Sequence, residues 1–113
     1  MLQRLLSALT TQKGVEQALM VDDRGRLMAS IGQSGTVPDV EPLVQMTSTA
    51  LEAIQHLGLG ELYEIWEEGE TRTMIDIVTP YRILMLHGQG GKLARWRHSV
   101  DVNRKSLAIT PEM

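Results

Sequence analysis

Leu2, Leu5, Leu6 and Leu9 recur at three- and four-residue steps, with Gln3, Arg4, Ser7 and Thr10 between them. That period places the leucines on one face of an opening helix. A secretory leader would be apolar all round and end in small residues, so the segment reads as an amphipathic helix stopped by Gly14. The pattern then changes. VEQALMVDD (15–23) has an apolar centre, Ala18 to Val21, that does not alternate, as expected of a strand covered on both faces. Asp22-Asp23-Arg24-Gly25 makes a turn into RLMASIG (26–32), and the two segments form a hairpin.

GQSGTVPD (32–39) is a loop ending at a helix start, with Pro38 or Asp39 near the cap. This middle helix runs to about Leu57, where Gly58 suits a left-handed stop. Val40, Leu43, Thr47, Ala50, Leu51, Ile54 and Leu57 make its apolar face. A neighbouring stripe holds Pro42, Met46, Thr49 and Ala53, and the remaining face carries Glu41, Gln45, Ser48, Glu52 and Gln55. So wide an apolar arc suits a helix that packs on more than its own sheet. Three strands follow as an antiparallel meander: ELYEIWEEG (61–69), RTMIDIVT (72–79) and YRILMLHG (81–88). The last is apolar from Ile83 to Leu86 and should be covered on both faces; the first is acidic and should be an edge. A final helix begins near Gly90 and runs to about Lys105, with Leu93, Trp96, Val100 and Leu107 near one face.

The order is therefore α-β-β-α-β-β-β-α. The two doubly covered strands should be central neighbours with their hairpin partners outside them, giving a five-stranded antiparallel sheet of order 2-1-5-4-3. The terminal helices would cover one face of this α/β sandwich and the middle helix the other. Residues 1–109 read as one domain and 110–113 as a short tail, with no repeat or linker between.

Composition narrows the chemistry. The chain of 113 residues has a net charge of −3 and no cysteine, which removes thiol catalysis, disulfides and thiolate metal sites. No apolar run reaches the roughly 20 residues of a membrane span, so a soluble, cytoplasmic protein is expected. HGQGGKLARWRH (87–98) resembles a phosphate-cradling loop, but its spacing fits neither GxxxxGK[ST] nor GxGxxG, and a plain strand-to-helix turn is the simpler reading. His56, His87 and His98 lack metal-ligand spacing, and no serine lies in a GxSxG elbow. Asp76 interrupts the isoleucines of its strand, and alternation sends it to the opposite face, solvated or salt-bridged. Neither catalytic residues nor a cofactor or metal site emerge. Lys92, Arg95, Arg97, Arg104 and Lys105 make the last helix basic; a solvated face is the simpler reading, with anionic lipid or nucleic acid the alternatives.

Three stretches in order carry a resemblance. GVEQALMVDDRGRLMAS (14–30), LGLGELYEIWEEGE (57–70) and GQGGKLARWR (88–97) resemble the opening hairpin, the passage into the third strand and the last-helix entry of the Roadblock/dynein light-chain family. The resemblance implies a profilin- or longin-like sandwich that forms homodimers by joining edge strands into one continuous sheet, with the middle helices packed together. Carried over, the interface would include Met46, Thr49, Ala53, Tyr63, Ile65 and Trp66, and the acidic strand's glutamates would point outward or meet Arg72. Bacterial MglB-like members bind a Ras-like small GTPase on the helical face of the dimer and can act as its GTPase activator. The matching positions are Glu41, Gln45, Ser48, Glu52 and His56. No arginine lies on the middle helix to serve as a finger, so activation would have to reorganise the GTPase's own residues. The implied protein is a non-enzymatic regulator or scaffold without cofactor, nucleic acid or membrane insertion. The alternative is a small-ligand sensor or an interaction module without a GTPase.

Overall fold

The computed structural model describes residues 1–32 and 40–112, so the helix start expected near Pro38 or Asp39 lies outside the described residues. The elements are α1 (Leu2–Leu9), β1 (Val15–Asp22), β2 (Leu27–Ile31), α2 (Glu41–Leu57), β3 (Glu64–Glu68), β4 (Arg72–Thr79), β5 (Arg82–Gly88) and α3 (Leu93–Ile109). The strands form one antiparallel sheet in the expected order β2-β1-β5-β4-β3.

Strand alternation divides the apolar residues between two cores. Ala18 and Met20 of β1, Met74 of β4, and Leu84 and Leu86 of β5 pack with Leu2, Leu6 and Leu9 of α1 and Trp96, Val100 and Leu107 of α3. Leu19, Val21 and Ile75 point the other way and pack with Leu43 of α2. The continuous apolar runs of β1 and β5 thus follow from their central position, where helices cover both faces.

Three boundaries differ from the sequence reading, each for a local reason. α1 ends at Leu9, well before Gly14, because the hydroxyls of Thr10 and Thr11 donate to Ser7 O and Ala8 O, at 2.8 and 2.7 Å, and compete with continued helix. α3 starts at Leu93 because Gly90 and Gly91 both hold positive φ, and it continues to Ile109. β3 starts at Glu64; residues 61–63 leave the sheet, keeping one ladder bond from Ile77 N–H to Tyr63 O at 2.9 Å. Gly58 ends α2 in the left-handed conformation as expected, with Leu59 N–H bonding back to Ile54 O at 3.0 Å.

The glycines of HGQGG serve a close approach of backbones. A side chain at Gly88 would overlap the carbonyl of Gly14, and one at Gly91 would overlap that of Lys13. Gln89 N–H bonds Gly14 O at 3.0 Å, and the Trp96 indole donates to Lys13 O at 2.9 Å. The stretch fastens the entry of α3 to the connection between α1 and β1, as a strand-to-helix turn.

Candidate functional site

The two edges of the sheet are guarded differently. β2 runs beside α1, whose Gln3 side-chain amide donates to Ser30 O at 3.3 Å. β3 lies at the other edge, and among the described residues no strand pairs with its outer side. β3 also alternates. Ile65 faces the α2 core opposite Ile75, while Trp66 faces the α3 side opposite Met74 and stays 53% exposed.

Its glutamates are partly neutralised. Glu64 takes a hydrogen-bonded ion pair from Arg97 of α3 at 3.0 Å, and Glu68 pairs with Arg72 directly opposite on β4. Arg72 also donates to Gly90 O at 3.2 Å and lies over the Trp96 ring, 4.9 Å from its centroid. The Tyr63 hydroxyl donates to Glu61 at 2.9 Å, which raises the Tyr63 pKa because the bond and the nearby charge favour the neutral phenol. Glu67 and Glu70 are exposed.

α2 continues this region. Leu43 and Thr47 are its buried residues, and the Thr47 hydroxyl is satisfied by Leu43 O at 2.8 Å. Burial fades toward the C-terminus. Leu51 and Leu57, assigned to the buried face by periodicity, are exposed, whereas Ala50 and Ile54 are half-buried. Periodicity identifies the apolar side of a helix; how far that helix extends over its sheet is a separate, tertiary matter.

Of the residues expected at a subunit interface, Met46 and Ile65 pack partly into the α2 core of this chain. Thr49, Ala53, Tyr63 and Trp66 are exposed. Glu41, Gln45, Ser48, Glu52 and His56 are all exposed on the outward side of α2, where the Gln45 amide reaches Glu41 at 3.5 Å. The sequence reading missed an open groove of about 780 Å³ beside the end of β4, lined by Thr47, Leu51, Ile54, Tyr63, Ile77 and Pro80 among others. It forms because residues 61–63 leave the sheet before reaching the end of β4. The nearest signal in the sequence is the glycine pair Gly58 and Gly60.

Asp76 faces α3, as alternation requires. It is buried and held by both guanidinium nitrogens of Arg104 at 2.8 Å, and Arg104 also bonds Asp101 at 2.8 Å. These bonds raise the Arg104 pKa, Asp76 contributing most. Such a fork is a structural clamp between β4 and α3. Among the described residues no buried side-chain polar atom lacks a partner, and no group of three or more acidic or histidine side chains could hold a metal. None of the described helices is long and apolar enough to cross a membrane.

No family model matches the sequence, and no curated protein matches it. Solved structures do resemble the fold. A Roadblock/LC7 domain of Streptomyces avermitilis superposes with a TM-score of 0.79 at 16% identity, covering 94% of this chain and 93% of that one. MglB of Myxococcus xanthus gives 0.77 at 20% identity, covering 94% and 90%. The gliding protein MglB of Thermus thermophilus gives 0.76 at 21%, covering 95% and 85%. With its α-β-β-α-β-β-β-α order and its 2-1-5-4-3 sheet, this chain has the Roadblock fold.

Proposed function

We propose that this chain is a homodimeric, non-enzymatic regulator or scaffold of a Ras-like small GTPase, with stimulation of GTP hydrolysis as a further capacity. The supporting observation is where most of the large exposed apolar residues gather. Leu51, Leu57, Leu59, Tyr63 and Trp66 all lie on α2, on β3 or between them, alongside the unpaired sheet edge. Apolar side chains beside an open edge suit an interface with a second copy. The shared fold with MglB supports the same reading.

The charges on β3 are compatible with symmetric pairing. An antiparallel pair centred on Trp66 sets Trp66 against its copy, Ile65 against Glu67, and Glu64 against Glu68. Opposed glutamates ordinarily destabilise a strand pair. Here Glu64 and Glu68 already carry the arginines of their own subunit, Arg97 and Arg72. Thr49 and Ala53, small and exposed, would allow two α2 helices to approach closely, with Met46 beside them. Glu41, Gln45, Ser48, Glu52 and His56 then form the face offered to the GTPase.

Purified chain, assayed by light scattering and by capture of Ras-like GTPases loaded with GDP or a GTP analogue, tests this reading. A dimer that prefers the GTP-analogue form supports a regulator, and equal capture supports a scaffold. A monomer that captures neither form overturns the proposal. The groove beside β4 favours a second reading, a small-ligand sensor. Specific thermal stabilisation by a metabolite, abolished by Ile54→Trp, would move the function there.

A further inference from the structure

We propose that the outer surface of the α1–α3 layer is a docking surface for an anionic phospholipid bilayer, engaged peripherally through Arg4, Lys13, Lys92, Arg95 and Lys105. The structure sorts the basic residues of α3 into two sets. Arg97 and Arg104 turn toward the strands and are neutralised by Glu64, Asp76 and Asp101. Lys92, Arg95 and Lys105 are exposed and enter none of these ion pairs.

The helical step of about 100° per residue aligns Arg95, His98, Val102, Lys105 and Ile109 on the outward side of α3. Opposite them lie the buried Trp96, Val100 and Leu107. On α1, Arg4 stands opposite the buried Leu2, Leu6 and Leu9. Lys13 joins this surface at the seam, since its carbonyl accepts the Trp96 indole at 2.9 Å. Lys13, Lys92 and Arg95 line one open cavity of about 400 Å³ there.

The charge is segregated. Of the eleven lysines and arginines, seven lie in residues 1–13 and 92–109, whereas of the fourteen acids only Asp101 does, and Arg104 occupies it. A chain of net charge −3 therefore presents one strongly positive layer, while Glu41 and Glu52 stand on α2 across the sheet. An anionic plane attracts the first and repels the second, which fixes the orientation of approach.

Two aliphatic side chains favour lipid over nucleic acid. Val102 and Ile109 are 68% and 69% exposed on the same stripe as the cations. Exposed aliphatic groups between cations match the boundary of headgroups and acyl chains. A phosphate backbone offers them nothing, and the stripe has no phenylalanine, tyrosine or tryptophan to stack on bases. If two subunits join along β3, the two-fold axis is normal to the sheet and both basic layers look the same way. That doubling rests on the dimer proposed above; a monomer still presents the single layer.

The test is co-sedimentation with vesicles of phosphatidylcholine alone or of equal parts phosphatidylcholine and phosphatidylglycerol. Binding is expected to the mixed vesicles only, and it should fade as salt shortens the screening length. Each lost cation should weaken it about fivefold, so Arg95→Ala with Lys105→Ala should weaken it about 25-fold. Val102→Ser with Ile109→Ser should weaken it while leaving the salt dependence unchanged. Light scattering and thermal melts on every variant separate lost lipid contact from a lost dimer or a lost fold. Absence of binding to the mixed vesicles at low ionic strength overturns the proposal. So does binding of duplex DNA without vesicle binding, or equal binding by the double charge variant.

Discussion

Around α1 and α3 the sheet encloses twelve buried apolar residues among those described, including Trp96, whose indole nitrogen is satisfied by Lys13 O. Beneath α2 the corresponding cluster has four, and the C-terminal half of the helix leaves Leu51 and Leu57 in solvent. The same sheet thus carries one core closed within the chain and another that is shallow and bordered by exposed apolar residues. Hydrophobic burial scales with apolar area removed from water, so the first face should supply most of the subunit's own stability. The second retains apolar area that a partner can bury. This contrast separates the apolar area used in folding from the apolar area left exposed.

Changes on the closed face should have the largest effects, independent of protein concentration. Trp96→Ala removes the largest fully buried side chain of the α1–α3 core and should cost about 3–5 kcal/mol in urea unfolding. A loss below about 1 kcal/mol would contradict the division of the two faces. Arg104→Ala leaves Asp76 buried without its fork and should cost about 2 kcal/mol, below the range for wholly buried pairs because Arg104 is itself partly exposed. Asp76→Asn should cost less, since Arg104 keeps Asp101.

On the open face, Leu57→Ser should change the stability of the isolated subunit by no more than about 0.5 kcal/mol. A larger loss seen only at high protein concentration would locate Leu57 in the interface.

The smallest effect concerns the end of the chain. The Arg26 guanidinium holds Glu112 in a two-bonded ion pair and lowers its pKa. The Arg26 backbone N–H, more than its side chain, lowers that of Asp22. Both folded values lie below the unfolded ones, so these contacts are fully present above the ordinary carboxylate range. They are lost as pH falls through the depressed values. Amide resonances around Glu112 should therefore shift together in acid while those of the α1–α3 core stay in place.

Much of this contrast was legible in the pattern of residues. The unbroken apolar runs of Ala18–Val21 and Ile83–Leu86 could be stable only with helices on both sides, and that requirement set the strand order. Asp76 between two isoleucines had to face the other way, and it meets Arg104 there. Less accessible were features set by reach. The turn of α2 is encoded every 3.6 residues, but its overhang depends on where the sheet stops. Arg97 and Arg104 look like Arg95 and Lys105 in sequence, and only α3's orientation against β3 and β4 separates the paired cations from the free ones. The groove arises from the path of residues 61–63, which local propensity does not specify.

Sedimentation velocity of the wild-type chain and of Trp66→Glu at tens of micromolar tests pairing along β3 most directly. Trp66 is exposed at the centre of the open edge, so the substitution should leave the thermal melt of the subunit nearly unchanged. A wild-type dimer and a folded Trp66→Glu monomer are expected. A wild-type chain that remains monomeric, or a Trp66→Glu dimer as tight as wild type, would contradict pairing along β3.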